Sequence, residues 1–406
     1  MKVQTNGQPF ERMMEDTAQQ RIVVRDDAKW LRALFVLNSL NMGGSETKIV
    51  RLVNALYQRG VQTGIAYLCE PGTLRALVDP DLPVWHLERR GKFSFAALSR
   101  LLRVISTTHP RVVFSVNLYP TLYVALAAMY LGRQSRTVGL LNTSSPPPQE
   151  RWRMKFYRPF LRRLDGIVFG CERQRQEWAP YVHRNAKRSC VIYNGVDTTW
   201  FAPMSDAQSA HLRDRQGISG DAFVFGTVGR LAPEKNQVAL IEALSTLRKE
   251  NIDAHVIIVG TGSERARLEQ RARTMRVQSH VSFVGMQGDV RPWLAMMDVF
   301  VLPSKHVETF SNAALEAMAM RRPVILSRIG GADEMVRDGV DGHVIELDEL
   351  DVALPQLLRT LHADPIRRQR LGRNARERVE REFSIDSMVK RFARLIEGSD
   401  VERRVS

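Results

Sequence analysis

Two doubly wound α/β domains are what this 406-residue sequence predicts. Three observations carry that reading. Short apolar runs alternate with longer amphipathic stretches, as strands of a parallel sheet joined by helices require. The alternation restarts after the turn-rich NGVDTTWFAP at 194–203. The length exceeds one ordinary domain and suits two.

Residues 1–29 are polar and unpatterned, so they read as a flexible N-terminal extension. The first Rossmann-like domain is expected over 30–199. ALFVLNSL (33–40) reads as its first strand, and Glu46 to Arg59 as a helix stopped by Gly60. GIAYLC, RVVFSV, RTVGLL and GIVFG come next as strands, separated by helix-length segments. The second domain is expected over 200–385, with strands in AFVFGTVG (222–229), AHVIIVG (254–260), VSFVG (281–285), VFVLP (299–303) and PVILS (323–327). Asp364 to Glu397 reads as two basic amphipathic helices, and 386–406 as a C-terminal helix returning to the first domain.

Apolar residues make up 44% of the chain, enough for large cores. The three cysteines, Cys69, Cys171 and Cys190, show no paired spacing. They form neither a disulfide framework nor a zinc motif and suit a reducing compartment. The first twenty residues lack the apolar core of a signal peptide. The longest apolar run, Leu122 to Leu131, is about half of what spans a bilayer. The expectation is a soluble cytoplasmic protein, with peripheral attachment to the inner face of a membrane left open. Residues 1–200 carry 29 Lys and Arg against 15 Asp and Glu; residues 201–406 carry 30 against 29. The excess charge therefore sits in the first half. Either it faces an anionic partner (lipid headgroups, nucleic acid or a phosphorylated substrate) or it is a solvated arginine-rich surface.

In open parallel sheets, ligands bind beyond the carboxyl ends of the strands. The loops leaving the strands of the second half are therefore informative. GRLAPEKN brings Arg230 and Lys235, and the next strand ends in Gly260-Thr261-Gly262. VFVLP leads into KHVETFSNAALEAMAMRRP (305–323), and PVILS into RIGGADE (328–334). Arg230 and Lys235 suit a diphosphate, the arginine as a planar fork and the lysine as a point charge. The loop holding Thr309, Phe310 and Ser311 offers backbone N–H groups and a positive helix end to the same phosphates. Glu308, in the loop, is free to accept hydrogen bonds from hydroxyls. Glu316 lies about 12 Å of helix rise further on, in a helix apolar nearly all round, which predicts burial. Two carboxylates so spaced can grip opposite ends of a ligand with hydroxyls at both ends and phosphates between, the layout of a nucleotide sugar. In the first half, Gly43 and Gly44 open a helix after the first strand, as an anion approach or a simple tight turn.

The order of these pieces resembles glycosyltransferase family 4, of GT-B fold. GGSE (43–46), YNGVD (193–197), GRLAPEKN (229–236), VGTG (259–262), DVFVLPS (298–304), the pair Glu308/Glu316 and GGADE (330–334) carry the likeness over about 33–390. The resemblance implies a GT-B pair of Rossmann-like domains facing a central cleft, with the acceptor side in the first and the nucleotide-sugar donor in the second. It implies that Arg230 and Lys235 bind the diphosphate, that Glu308 contacts the transferred sugar and that Glu316 contacts the ribose. Gly43, Gly44 and Gly262 would lie along the donor. It further implies a retaining hexosyltransferase acting on a glycan or glycolipid acceptor in surface polysaccharide or lipopolysaccharide synthesis. No metal or other cofactor is implied, and no DxD motif stands in a plausible loop. Many relatives place a histidine after a central strand of the first domain; here RTVGLLNTSSPPP offers Asn142 or Thr143, and Asn142 is the acceptor-side candidate.

RWRMKFYRPFLRRL (151–164) carries six basic residues, with Trp152, Phe156, Phe160 and Leu164 four apart. It reads either as a helix on an anionic membrane or as a helix turning that stripe to the core. Two competing functions are an epimerase of nucleotide sugars, whose kind lacks the GRLAPEKN and paired-glutamate combination, and a non-enzymatic nucleic-acid binder. No nucleic-acid-binding motif is visible, so no nucleic-acid partner is expected.

Overall fold

The computed structural model describes residues 31–41, 43–132, 134–144, 151–182 and 188–398. The extension expected at 1–29, residues 145–150 after Asn142 and Thr143, and residues 399–406 lie outside them.

The elements alternate as the periodicity requires. The first half runs β1 (Ala33–Leu37), α1 (Gly44–Gln58), β2 (Thr63–Tyr67), β3 (Val84–His86), α2 (Phe95–Thr108), β4 (Val112–Val116), α3 (Leu118–Leu131) and β5 (Arg136–Leu141). It continues with α4 (Arg151–Leu161), β6 (Gly166–Phe169), α5 (Glu172–Val182) and β7 (Ser189–Val191). The second half runs α6 (Asp206–Arg215), β8 (Phe223–Val228), α7 (Val238–Lys249), β9 (Ala254–Val259), α8 (Arg265–Thr274), β10 (Val281–Gly285), α9 (Arg291–Met296) and β11 (Val299–Leu302). It ends with α10 (Asn312–Ala319), β12 (Val324–Ser327), α11 (Ala332–Met335), β13 (Gly342–Ile345), α12 (Leu350–Ala363), α13 (Pro365–Glu382) and α14 (Ile385–Glu397).

Two sheets result, in the orders β3-β2-β1-β4-β5-β6-β7 and β10-β9-β8-β11-β12-β13, with parallel pairing such as Phe35↔Ile65 and Phe225↔Val256. Central strands such as β1 and β4 are buried at every position. Strands covered on both faces need continuous apolar runs rather than alternation. Two compact units form. The first holds the described residues to Leu140 with 159–166 and 396–398; the second holds 141–158 and 167–395. In the second, Phe300, Leu315, Met318 and Phe383 belong to one buried cluster. Helix α10 is buried from Ala314 to Ala319, as its all-round apolar composition predicts.

The stripe expected in 151–164 does not form one buried face. Met154, Leu161 and Leu164 are buried, while Phe156 is 57% exposed. Steps of four residues each advance 40° beyond a full turn of an α-helix, so a four-membered stripe at that spacing drifts by 120°. The Trp152 side chain lies outside the described residues. No helix among the described residues is long and apolar enough to cross a membrane.

Candidate active site

In the six-stranded sheet the strand order reverses between β8 and β11. The loops leaving these two strands diverge there and open a crevice, the place where such sheets take ligands. Residues 229–237 and 303–311, which the sequence singles out, are those two loops.

They are tied together by backbone and charge. Lys305 N–H donates to the Glu234 carbonyl at 2.8 Å. Lys235 Nζ lies 2.5 Å from Glu308 Oε2, and Ser304 Oγ donates to the same oxygen at 3.2 Å. The lysine and glutamate side chains are only 20% and 16% exposed, so this pair is strongly felt. Arg230 differs: its guanidinium is 70% exposed and pairs with Glu234 at 2.6 Å. An exposed pair of this kind is worth about 0.2–1 kcal/mol, so an incoming anion can replace it at little cost.

Two glycine turns shape the crevice. The loop after β9 packs against the Arg230 loop: Leu231 N–H donates to the Thr261 carbonyl at 2.9 Å and Glu264 N–H to the Leu231 carbonyl at 3.1 Å. A Cβ on Gly262 would stand 2.1 Å from the Leu231 carbonyl oxygen, so only glycine fits. The loop after β12 packs against the Glu308 loop in the same way. Gly331 N–H donates to the Thr309 carbonyl at 2.7 Å. Gly330, at φ +52, would bring a Cβ to 2.1 Å from the Glu308 carbonyl oxygen.

Each remaining predicted residue has a defined place. Thr309 Oγ1 donates to the Asn142 carbonyl at 3.0 Å, bringing the acceptor-side candidate's backbone beside the loop. Phe310 is buried and stacks on Tyr193 at 4.9 Å. Ser311 caps α10, its Oγ accepting from Ala314 N–H at 3.2 Å. Glu316 is 8% exposed in the middle of α10. Ser304, Glu308, Thr309, Ser311, Ser327 and Gly331 line a small recess that opens to solvent. On the first unit, Gly43 precedes α1, and a Cβ there would meet the Glu46 carboxylate at 2.6 Å. Gly44 is the first residue of that helix.

No activated thiol stands in this region: burial pushes the Cys171 thiol up to about 12. Burial and the neighbouring Glu334 likewise push the Tyr193 phenol up to about 12. Among the described residues, no group of three or more His, Cys, Asp or Glu side chains is placed to hold a metal ion. The side chains present, Arg230, Lys235, Glu308 and Ser304, offer charges and hydrogen-bonding groups.

Sequence reasoning assigned no role to Ser304, Gly330 or Gly331. The glycine pair after an apolar strand was a usable signal, since it marks a close backbone approach. Glu334 had no such signal. Its carboxylate accepts from the N–H groups of Glu172 and Arg173 at the start of α5, at 2.7 and 2.9 Å, and from Tyr193 Oη at 3.0 Å.

Residues 42–200 match the family model described as Glycosyltransferase Family 4, and 208–378 match that of Glycosyl transferases group 1. Among curated proteins, the chain is 39% identical over 186 residues to a GDP-mannose-dependent alpha-(1-6)-phosphatidylinositol monomannoside mannosyltransferase of Mycolicibacterium smegmatis, covering 44% of this chain and 48% of that protein. It is 33% identical over 199 residues to the UDP-Gal:alpha-D-GlcNAc-diphosphoundecaprenol alpha-1,3-galactosyltransferase of Escherichia coli, covering 48% and 50%. The chain thus spans about half the length of the curated relatives it matches. Among solved structures, HepE of Anabaena in complex with UDP superposes with a TM-score of 0.81 at 20% identity, covering 90% of this chain and 99% of that one. The sucrose-phosphate synthase of Thermosynechococcus elongatus does so at 0.76 and 18%, covering 90% and 98%. With both halves matched in order and the doubly wound sheets in place, the chain belongs to the glycosyltransferases of GT-B fold, its first half of family 4 and its second of group 1.

Proposed function

We propose that this protein is a retaining hexosyltransferase, moving a sugar from a nucleotide-sugar donor to a hydroxyl of a glycan or lipid-linked acceptor. The observation that carries the reading is the cluster at the strand reversal. One exposed guanidinium, Arg230, and one half-screened ion pair, Lys235 with Glu308, share a crevice whose walls are glycine turns.

The diphosphate of the donor replaces Glu234 on Arg230 and shares Lys235 with Glu308. Charge-assisted hydrogen bonds of this sort contribute about 1.5–3 kcal/mol each. Glu308 then accepts from hydroxyls of the transferred sugar, and Glu316 from the ribose. Gly43 and Gly44 present backbone N–H groups to the phosphates, and Gly262, Thr309, Phe310 and Ser311 shape the donor's bed. The acceptor oxygen forms its bond to the anomeric carbon on the face the diphosphate leaves. The breaking carbon–oxygen bond delivers its electron pair to the phosphate, which takes the acceptor proton. Both cations stabilise the charge that grows there. In this reading neither a metal nor a cofactor is needed.

The acceptor class is supported by relatives whose names include a phosphatidylinositol mannoside and a diphosphoundecaprenol-linked sugar. Those names pair with GDP-mannose and UDP-Gal, so the donor base is chosen by experiment. A thermal-shift panel of UDP, GDP and ADP sugars is expected to give one strong stabiliser, since a ligand raises apparent stability by mass action. No shift with any of them refutes the reading. With that donor, the product's anomeric configuration, read by NMR, tests retention. Attachment to the inner face of an anionic membrane through α4 completes the proposal; it is supported by Phe156 standing exposed beside exposed Arg153 and Lys155.

A further inference from the structure

The first unit carries a cationic site that donor binding does not use. Its strand order reverses between β1 and β4, so the loops after β1 to β4 open on a crevice of their own. Arg89 comes after β3 and reaches across that reversal. Its Nη1 donates to Tyr119 Oη at 3.0 Å and to the Gly91 carbonyl at 2.6 Å. The guanidinium stacks over the Tyr119 ring, 4.5 Å from its centre. Nη2 lies 2.8 Å from Cys69 Sγ, just beyond β2.

With the Lys92 carbonyl, which Nη1 also reaches at 3.4 Å, these partners are a phenol, two carbonyls and a thiol; among the described residues no carboxylate reaches Arg89. Its Nε is buried and has no hydrogen-bond acceptor there. The loop's own acid, Glu88, turns away to Arg100 at 2.9 Å. Arg90 and Lys92 are next along the loop, both exposed, and neither forms an ion pair among the described residues. Burial disfavours the charge and the Cys69 and tyrosine contacts offset it, so the guanidinium stays charged with no carboxylate in the way of a ligand anion.

The loop is held ready. Glu88 at φ +50 and Gly91 at φ +68 turn it left-handed. Phe93 stacks on Tyr123 at 5.2 Å, and Ser94 N–H donates to Tyr123 Oη at 2.9 Å. The aromatic contacts hold the backbone after the cations, and the bonds from Leu87 N–H to the Tyr67 carbonyl at 2.8 Å and from Arg89 N–H to the Leu68 carbonyl at 2.6 Å hold it before them.

We propose that this site binds a phosphate group of the acceptor, with Arg89 as the planar fork and Arg90 and Lys92 as steering charges. Calling the ligand the acceptor rests on the glycosyltransferase reading; the anion site itself rests on the geometry around Arg89.

The test uses the full chain with Arg230→Ala and Lys235→Ala introduced, so that the donor crevice no longer takes phosphate. Inorganic pyrophosphate binding is measured by calorimetry and thermal shift. Adding Arg89→Gln is expected to weaken it about tenfold or more, and Arg89→Lys by less, since the charge stays but the fork is lost. Adding Arg90→Gln and Lys92→Gln instead is expected to weaken it a few-fold and flatten its salt dependence. That second pair of exposed positions decides the matter if Arg89→Gln fails to fold. Glucose 1-phosphate and geranyl diphosphate separate the sources: Arg89-dependent binding of the first points to a soluble phosphorylated glycan, of the second to a lipid-carried diphosphate. No pyrophosphate binding by the parent, or equal affinity with and without these substitutions, overturns the proposal. A separate failure of wild type to bind any nucleotide sugar overturns the donor reading and leaves the anion site standing.

Discussion

Gly330→Ala separates the geometry of the proposed catalytic loop from the stability of the fold. The alanine Cβ would stand 2.1 Å from the Glu308 carbonyl oxygen and 2.8 Å from its carbonyl carbon, where ordinary contact begins near 3.4 Å. One side must therefore yield by more than 1 Å. The obstacle is backbone, so no rotamer change relieves it, and the loop that carries Glu308 moves. A left-handed alanine adds about 1–2 kcal/mol of conformational cost. Gly339→Ala supplies the control: φ is +71 there too, but its Cβ would meet nothing within 4 Å. In urea melts Gly339→Ala should lose the left-handed cost alone, and Gly330→Ala that cost plus the cost of the clash. Only Gly330→Ala should lose turnover of the nucleotide sugar chosen by the thermal-shift panel, by about 100-fold, the usual consequence of a 1 Å misplacement of a reacting group. Equal turnover in the two variants, or a wild-type rate in Gly330→Ala, refutes the argument that this turn sets the Glu308 position.

Lys235→Ala leaves the Glu308 carboxylate, 16% exposed, without its counter-ion; a loss of about 1–3 kcal/mol in stability is expected. Nucleoside diphosphate affinity should fall about tenfold with it. Adding Glu308→Gln should restore the stability and not the turnover, and a double variant no more stable than the single one denies the coupling. His255 is half-buried and pushed down to about 4, chiefly by desolvation. The unfolded chain binds that proton near pH 6.5, so between pH 6.5 and 4 the unfolded state holds more protons and stability falls as pH falls. His255→Gln should flatten the urea-measured stability curve in that window; an unchanged slope contradicts the assignment. Phe156→Ser with Arg153→Gln and Lys155→Gln should release the protein from phosphatidylglycerol vesicles at low salt, and a wild type that never sediments with them ends the membrane reading.

The parallel sheets were legible because strands buried on both faces must be continuously apolar, and the runs at 33–37, 112–116, 223–228 and 299–302 are. Strand β3 was not, because three residues, Val84–His86, half-buried at the edge of a sheet, carry no pattern of their own. Glu308, Lys235 and Arg230 were legible as a set because the strand-end rule points to loops, and loops can be read in one dimension. The partners of Glu334 lie 141 to 162 residues away in sequence, which no local pattern encodes. Arg89 escaped notice for a related reason. Among many arginines in the first half, only the fold distinguishes one whose neighbours are all neutral.

The conformation of the proposed catalytic loop itself argues that the site is preformed. Val307, next to Glu308, stands at φ +58 and is 53% exposed. A β-branched residue in the left-handed region is strained, and exposure means that no packing of its side chain repays the cost. The conformation persists because the flanking bonds over-determine it: Lys305 N–H on the Glu234 carbonyl, Gly331 N–H on the Thr309 carbonyl, and Thr309 Oγ1 on the Asn142 carbonyl. Each bond comes from a different strand-end loop. The strain at Val307 and the close approach at Gly330 are therefore two consequences of one arrangement, in which the loops after β8 and β12 and the Asn142 carbonyl each hold the β11 loop. Such a loop does not wait for its ligand to order it. In the proposed reaction, binding energy from the nucleotide then need not be spent on folding the site, and the larger share would remain for interactions that strengthen as the diphosphate departs.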